Sequence, residues 1–303
     1  MKPYFVGFDL GGTNLKGAVL DETLKILDTF FCPSDDGKTI REMNRFDWKE
    51  LMNRQLSLML NTYGEYPKSL GVCSAGIPLP DHSAIGHMPQ RLTEIQGLDW
   101  ASLLGYQGKA YVINDAKAAF IAELQDPMLR GVQNVIMLTL GTGVGGAIKV
   151  DGNILEGAIG RAGHLGNISV DANGPIALTG IPGGLDNLVG NCQLKERTHG
   201  LFTDYITLEK EYAAHNPIAT EYWLRMIKHL AVGIAGLVNV LDPEIVIIGG
   251  GIANAGKNLF EPLQSYLDLY EWRPYGKGVK IIRAKGGDFS GAIGTAIYVS
   301  NKK

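Results

Sequence analysis

The chain has 303 residues, 45% of them hydrophobic and 19% charged, with a formal net charge of −3. That length predicts about two domains at roughly 150 residues each, and the near-balanced charge weighs against a nucleic-acid or membrane-surface partner. Cys32, Cys73 and Cys192 are too widely spaced for a disulfide framework or a metal knuckle, so a reducing, cytoplasmic setting is expected.

Residues 5–10 and 15–20 read as the strands of a β-hairpin closed by Gly11-Gly12-Thr13-Asn14, with Asp9 just before the tip. Adjacent glycines let backbone N–H groups converge without Cβ interference, and Thr13 and Asn14 add side-chain donors, which is the make-up of a phosphate nest. An acid before such a tip commonly faces a divalent cation. A glycine hairpin is equally an ordinary structural device, and this stretch alone leaves both readings open. Asp9 also interrupts the N-terminal apolar run, and no small-residue cleavage site follows, which argues against a secretory signal.

Residues 24–31 predict a third strand and 33–37 a loop. Leu51, Met52, Leu56, Met59, Leu60 and Tyr63 recur at spacings of three and four, so they mark the core face of a helix. Residues 70–75 predict a buried strand that ends in a rigid loop, 76–81, opening at Gly76; loops at such strand ends face ligands. The stretch 86–108 is loop-rich, with a short helix over 100–104. A strand over 110–113 then delivers Asn114 and Asp115 to the start of a helix over 116–124. That pair is an ordinary helix cap and equally a rigid mount for an acid at the mouth of a cleft.

Residues 135–140 and 144–150 echo the first hairpin at an offset of 130, which lays Leu10-Gly11 on Leu140-Gly141 and Asp21 on Asp151. Two such turns are what a duplicated phosphate clamp would contain. Gly141, Gly143 and Gly146 also fit G-x-G-x-x-G, but a dinucleotide fingerprint must open a helix and residues 147–150 predict a strand. Residues 157–167 and 174–184 read as flexible and polar; His164 among those glycines is either solvated or functional. A long helix over 218–241 stops at Asp242-Pro243. Its most apolar part, 230–241, is too short to span a membrane. A buried strand over 244–248 ends in Gly249-Gly250-Gly251, a setting for close backbone approach to a flat group or sugar. A helix from about 258, a last strand over 281–284 and a tightly packed helix opening at Gly291-Ala292-Ile293-Gly294-Thr295-Ala296 complete the chain.

Phe8-Asp9-Leu10-Gly11-Gly12-Thr13-Asn14, Asn114-Asp115-Ala116, the glycine turn at 140–146, the 241–251 stretch and Gly291-Ala292-Ile293-Gly294 together resemble the successive signatures of the ROK family of sugar kinases and repressors. They fall in order and at fitting separations along the whole chain. The resemblance implies an α/β, two-domain actin-like (ribonuclease H-like) ATPase fold with a nucleotide cleft between domains 1–117 plus 286–303 and 118–285. It implies ATP and Mg²⁺ as cofactors and a homodimer. Gly11, Gly12, Thr13 and Asn14, with Gly141, Thr142 and Gly143, would meet the phosphates. Asp9 would position the metal, and Gly250 and Gly251 would lie against adenosine. Asp115 would be the general base, with Asn114 and the Gly76 loop at the sugar.

The chain also departs from the family. Where members usually read Ala-Gly-Glu-x-Gly-His, it carries Ala162-Gly163-His164-Leu165-Gly166-Asn167, so His164 replaces a sugar-binding Glu and Asn167 a His that binds sugar and zinc. No cysteine cluster lies within 168–191, and structural zinc is not expected. Gln90 and Asp186 stand where the family places an Asn and a Glu toward the sugar. Every change keeps a polar side chain, and an imidazole offers one donor and one acceptor where a carboxylate only accepts. The expected substrate is therefore a hexose or hexose derivative bound in an unusual way, with a different epimer, a ring substituent or an acidic group facing His164. A non-catalytic sugar-binding regulator or sensor of the same fold is the alternative. Family repressors carry an N-terminal helix-turn-helix, whereas here the first strand is expected from residue 5, and no nucleic-acid or membrane partner is expected.

Overall fold

The computed structural model describes residues 3–11, 14–32, 40, 42–88 and 92–302. Gly12, Thr13 and Gln90, and the loop expected over 33–37, lie outside the described residues. The chain divides into two compact units, one of Met1–Arg130, Gly157–Arg161 and Gly286–Lys303, the other of Gly131–Glu156 and Ala162–Lys285.

In the first unit, β1 (Tyr4–Leu10), β2 (Leu15–Asp21) and β3 (Ile26–Cys32) form an antiparallel meander. The helix α1 (Arg45–Tyr63) follows. It starts at a capping box between Asn44 and Asp47 and ends at Gly64 in the left-handed region, both standard solutions for unsatisfied helix-end groups. Next come β4 (Ser69–Ser74), β5 (Ile77–Pro78), β6 (Ile85–His87), α2 (Trp100–Leu104), β7 (Ala110–Asn114) and α3 (Asp115–Glu123). The sheet order is β3-β2-β1-β4-β7, with β1, β4 and β7 parallel. Parallel strands covered on both faces explain why β1 and β4 read as continuous apolar runs. The segment expected as a loop after β4 contains β5, which pairs with β6. Gly76 makes that hairpin possible: its φ is +107° and a Cβ would press on the His87 carbonyl.

The second unit contains β8 (Val135–Leu140), β9 (Val144–Val150), β10 (Asn153–Ile154), α4 (Leu185–Val189), α5 (Leu194–Arg197), α6 (Tyr205–Ala213), α7 (Pro217–Leu241), β11 (Ile245–Gly249), α8 (Lys257–Tyr270) and β12 (Lys280–Arg283). Its sheet order, β10-β9-β8-β11-β12, repeats the wiring of the first, an antiparallel meander with two parallel strands added beside its first strand. The duplication is therefore visible in topology. Its register differs from the expected offset, however. Leu10 pairs with Leu15 but Leu140 pairs with Val144, so the second turn is one residue shorter and Val150, rather than Asp151, corresponds to Asp21.

By length and composition α7, with 25 residues, could cross a membrane, being longer than its most apolar part alone. Trp223, Ile227, Leu230, Ala231 and Ile234 are fully buried, and they belong to the unit's own core with residues of α8 and β11. The 174–184 segment, expected to be flexible, folds back on the residues before it and on itself. Val170 N–H donates to Gly183 (2.9 Å), Ala177 N–H to Ile181 (2.8 Å) and the Ser169 hydroxyl to Pro182 (2.7 Å).

The last helix, α9 (Ser290–Ser300), belongs to the first unit and packs on β1, β4 and α3. A Cβ at Gly7 would overlap the Ala292 carbonyl, and one at Gly294 would overlap the Ala118 carbonyl. Small residues on both sides thus let backbones touch. Because α3 lies on α9, residues 118–130 group with the first unit, although the sequence predicts a boundary at 117. Gly157–Arg161 also groups there: Gly160 packs on Ile77 and Pro78, and Lys117 Nζ reaches its carbonyl at 3.5 Å.

Candidate active site

In the first unit the parallel strands end at Leu10, just after Asp9, at Ser74 and at Asn114, and Asp115 opens α3. The Asn114 side-chain oxygen accepts from Ala116 N–H (3.0 Å) and Lys117 N–H (3.2 Å), which caps the helix, while its Nδ2 donates to the Gly76 carbonyl (3.1 Å). Its other amide hydrogen donates to the Asp115 carboxylate, so Asn114 ties the Gly76 loop to that acid. Asp115 Oδ1 accepts from the next residue's N–H at 2.8 Å, so its carboxylate is held at the helix start. Ser74, paired in register with Asn114, carries a buried hydroxyl with no partner among the described residues. The sequence reading passes over it, because a serine at the end of a buried strand carries no motif.

The electrostatics of the two carboxylates are linked. Burial raises Asp9 to about 6, the negative charge of Asp115 pushes the same way, and Lys16 and a hydrogen bond with the Cys73 thiol oppose them. Burial also raises Asp115, against the hydrogen bonds from Ala116 N–H, its own backbone and Asn114. Cys73 is itself pushed well above the usual thiol range by burial, so it stays a neutral donor to Asp9. Gly291 of α9 leaves the space that the Asp9 carboxylate occupies. Two acids destabilised in this way favour a proton or a cation nearby. A Cβ at Gly11 would make only ordinary contacts, with the Asn14 carbonyl at 3.5 Å and Asp9 Oδ1 at 3.9 Å, and Asn14 is exposed.

In the second unit the turn between β8 and β9 is tied from behind. Asn191 N–H donates to the Gly141 carbonyl (2.9 Å), Cys192 N–H to the Thr142 carbonyl (2.8 Å), and Gly141 N–H to the Gly143 carbonyl (2.9 Å). With those three carbonyls engaged, the Thr142 and Gly143 N–H groups make no hydrogen bond among the described residues. Such a turn presents donors to an anion. The strand that follows it, β9, confirms that these glycines do not open a Rossmann helix. Gly250 sits at φ +84° against the backbone of Leu140, which brings the triple glycine beside the same turn. The Tyr205 hydroxyl lies against Gly251, and Tyr205 N–H donates to Asn191 Oδ1 at 2.8 Å. Asn191 thus joins the turn to the start of α6. Neither Asn191 nor Tyr205 is marked by any sequence pattern, because one acts partly through its backbone and the other sits outside a motif.

The proposed sugar residues of this unit differ in their engagement. His164 is partly buried, on a loop that Gly163 lets rest on β9. Asn167 is exposed and its Oδ1 accepts from the Thr179 hydroxyl at 2.8 Å. Asp186 is partly buried, and its Oδ1 accepts from Val144 N–H at 2.6 Å. No group of three or more metal-ligating side chains occurs among the described residues.

Comparison with known proteins agrees with this arrangement. The chain is 28% identical to a glucokinase of Halalkalibacterium halodurans, over 99% of this chain and 96% of that protein. It is also 28% identical to an N-acetyl-D-glucosamine kinase of Yersinia pseudotuberculosis, over 96% and 97% of the two chains. The crystal structure of a ROK hexokinase from Thermus thermophilus matches with a TM-score of 0.80 at 26% identity, covering 98% of each chain. The ROK family model matches residues 5–302, and this chain, with its duplicated actin-like α/β fold, belongs to the ROK family.

Proposed function

We propose that this protein is an ATP-dependent carbohydrate kinase that phosphorylates a hydroxyl of a hexose or hexose derivative, with Asp115 as the general base. Full-length similarity to a glucokinase and an N-acetyl-D-glucosamine kinase supports the reaction class. The observation that carries the residue assignment is the carboxylate of Asp115, fixed at the first turn of α3 by Ala116 N–H and raised above the ordinary carboxylate range by burial. A base moved toward neutrality accepts the proton of an attacking hydroxyl more readily than an ordinary surface acid does. Asn114, donating to that carboxylate, orients it toward the sugar hydroxyl. His164, Asn167, Gln90 and the Gly76 loop bind the rest of the sugar, and the imidazole of His164 selects a substituent that pairs with a donor and an acceptor.

The second unit supplies the Thr142 and Gly143 N–H groups for the nucleotide's phosphates and Gly250 and Gly251 for its adenosine. In the first unit, Gly11, Gly12, Thr13 and Asn14 serve the phosphates. The donor set also fits Mg²⁺: Asp9 offers a hard carboxylate oxygen whose charge lacks compensation, and Mg²⁺ is commonly held by one or two carboxylates together with substrate phosphates. Bound there, the ion would neutralise charge developing on the transferred phosphoryl group. Asp9 would hold it, and Lys16 would keep Asp9 ionised.

The reading is tested by sugar-dependent ADP release across glucose, mannose, N-acetylated hexosamines and sugar acids. At least one sugar should stimulate release, and Asp115→Asn should lower that rate by about 10³-fold or more. Unchanged turnover in the variant removes Asp115 from its role, and sugar binding without ADP release favours a regulator.

A further inference from the structure

The family resemblance places Asp186 at the sugar, but its contacts lead to the phosphate turn. Its Oδ1 accepts from Val144 N–H, the first residue after Gly141-Thr142-Gly143. Three glycines from three segments make room for this side chain and the helix that carries it. A Cβ at Gly143 would overlap Asp186 Oδ1. One at Gly166 would stand 3.1 Å from Asp186 Cβ, and one at Gly190 would be 2.8 Å from the Gly143 Cα. The segment beginning at Asp186 then supplies the N–H groups of Asn191 and Cys192 that hold the Gly141 and Thr142 carbonyls. Behind it, Arg197 donates to the Asn187 (2.6 Å) and Gly190 (2.7 Å) carbonyls, which closes the end of α4. Burial lowers Arg197 to about 10, and nearby Cys192, Asp186 and Glu196 oppose that shift.

We infer that Asp186 is a positioning residue for the phosphate turn, one that fixes the Val144 backbone so that the Thr142 and Gly143 N–H groups face the nucleotide. This rests on the reading of the chain as an ATP-dependent kinase. A carboxylate accepting from a backbone N–H makes a charge-assisted bond, roughly twice as strong as a neutral one. Without it Val144 N–H has no acceptor among the described residues, and the turn loses a tie made by a side chain where those from Asn191 and Cys192 are made by backbone. An asparagine keeps an acceptor oxygen at the same reach. A serine does not reach.

The test is ADP binding by titration calorimetry with no sugar present, alongside KM for ATP and KM for the accepted sugar. Asp186→Ala should weaken ADP binding and raise KM for ATP by about tenfold or more while KM for sugar stays within about twofold; Asp186→Asn should recover ADP affinity to within about fivefold. Asp186→Ser, held to the same thresholds as alanine, replaces it if that variant does not fold. ADP affinity unchanged in the alanine or serine variant overturns the inference. So does a raised KM for sugar alone, which makes Asp186 a sugar ligand. Because the titration contains no sugar, it reads this inference separately from the kinase assignment: a wild-type chain that binds ADP yet phosphorylates nothing defeats that assignment alone.

Discussion

Asp9 and Asp115 show how one buried acid sets the chemistry of another. Asp9 has a folded-state value of about 6, above the roughly 3.9 of an unfolded aspartate. A raised carboxylate contributes no penalty below the unfolded value. It then costs stability increasingly as pH rises through the window between the two values, and the cost is constant above it. In metal-free buffer at pH 8, Asp9→Asn should therefore raise stability by about 1–3 kcal/mol, read as a higher melting temperature. Added Mg²⁺ should stabilise the wild type more than the variant. A variant less stable than wild type in chelator would contradict the charge penalty. These two acids are legible in the sequence because each sits at a strand end inside a motif. Tyr205, Asn191 and Ser74 are not, because their roles depend on segments distant in the chain meeting at Gly251, Gly141 and Asn114.

At the scale of elements, glycine decides how closely pieces approach. The helix α9 lies on β1 because Gly7 leaves room for the Ala292 carbonyl, and α3 lies on α9 because Gly294 leaves room for Ala118. Gly7→Ala should cost about 1–3 kcal/mol in urea unfolding, since the obstruction is backbone and cannot rotate away. Stability equal to wild type would show that the sheet and helix separate without cost. The 162–184 region makes a second case. Where the family resemblance leads one to look for zinc, the Thr179 hydroxyl donates to Asn167, so incubation with a chelator should leave the melting temperature unchanged and Thr179→Val should lower it by about 0.5–1.5 kcal/mol equivalent. A chelator-induced drop would mean that a metal does hold this region. Strands and long helices are legible from periodicity, whereas α4 and α5 have five and four residues, too few to show a period.

Across the whole molecule, the weak echo between two glycine hairpins proves to be two sheets with one strand order. The shared wiring is what the sequence repeat could suggest, and the one-residue difference between the turns is what it could not, since a glycine-rich tip aligns equally well at neighbouring offsets. On the proposed reading, Asp115 and Asp9 come from the first unit, and the buttressed 141–143 turn and the triple glycine from the second. That reading draws on residues more than two hundred positions apart, from Asp9 to Gly251. Its central claim is phosphoryl transfer from ATP to a sugar hydroxyl with Asp115 taking the proton. The most direct measurement is ³¹P NMR of a reaction containing ATP, Mg²⁺ and the sugar that best stimulates ADP release. A sugar phosphate ester should appear in equal amount to ADP with wild type and be absent over the same time with Asp115→Asn. ADP and inorganic phosphate without an ester, or an ester formed undiminished by the variant, would contradict the account.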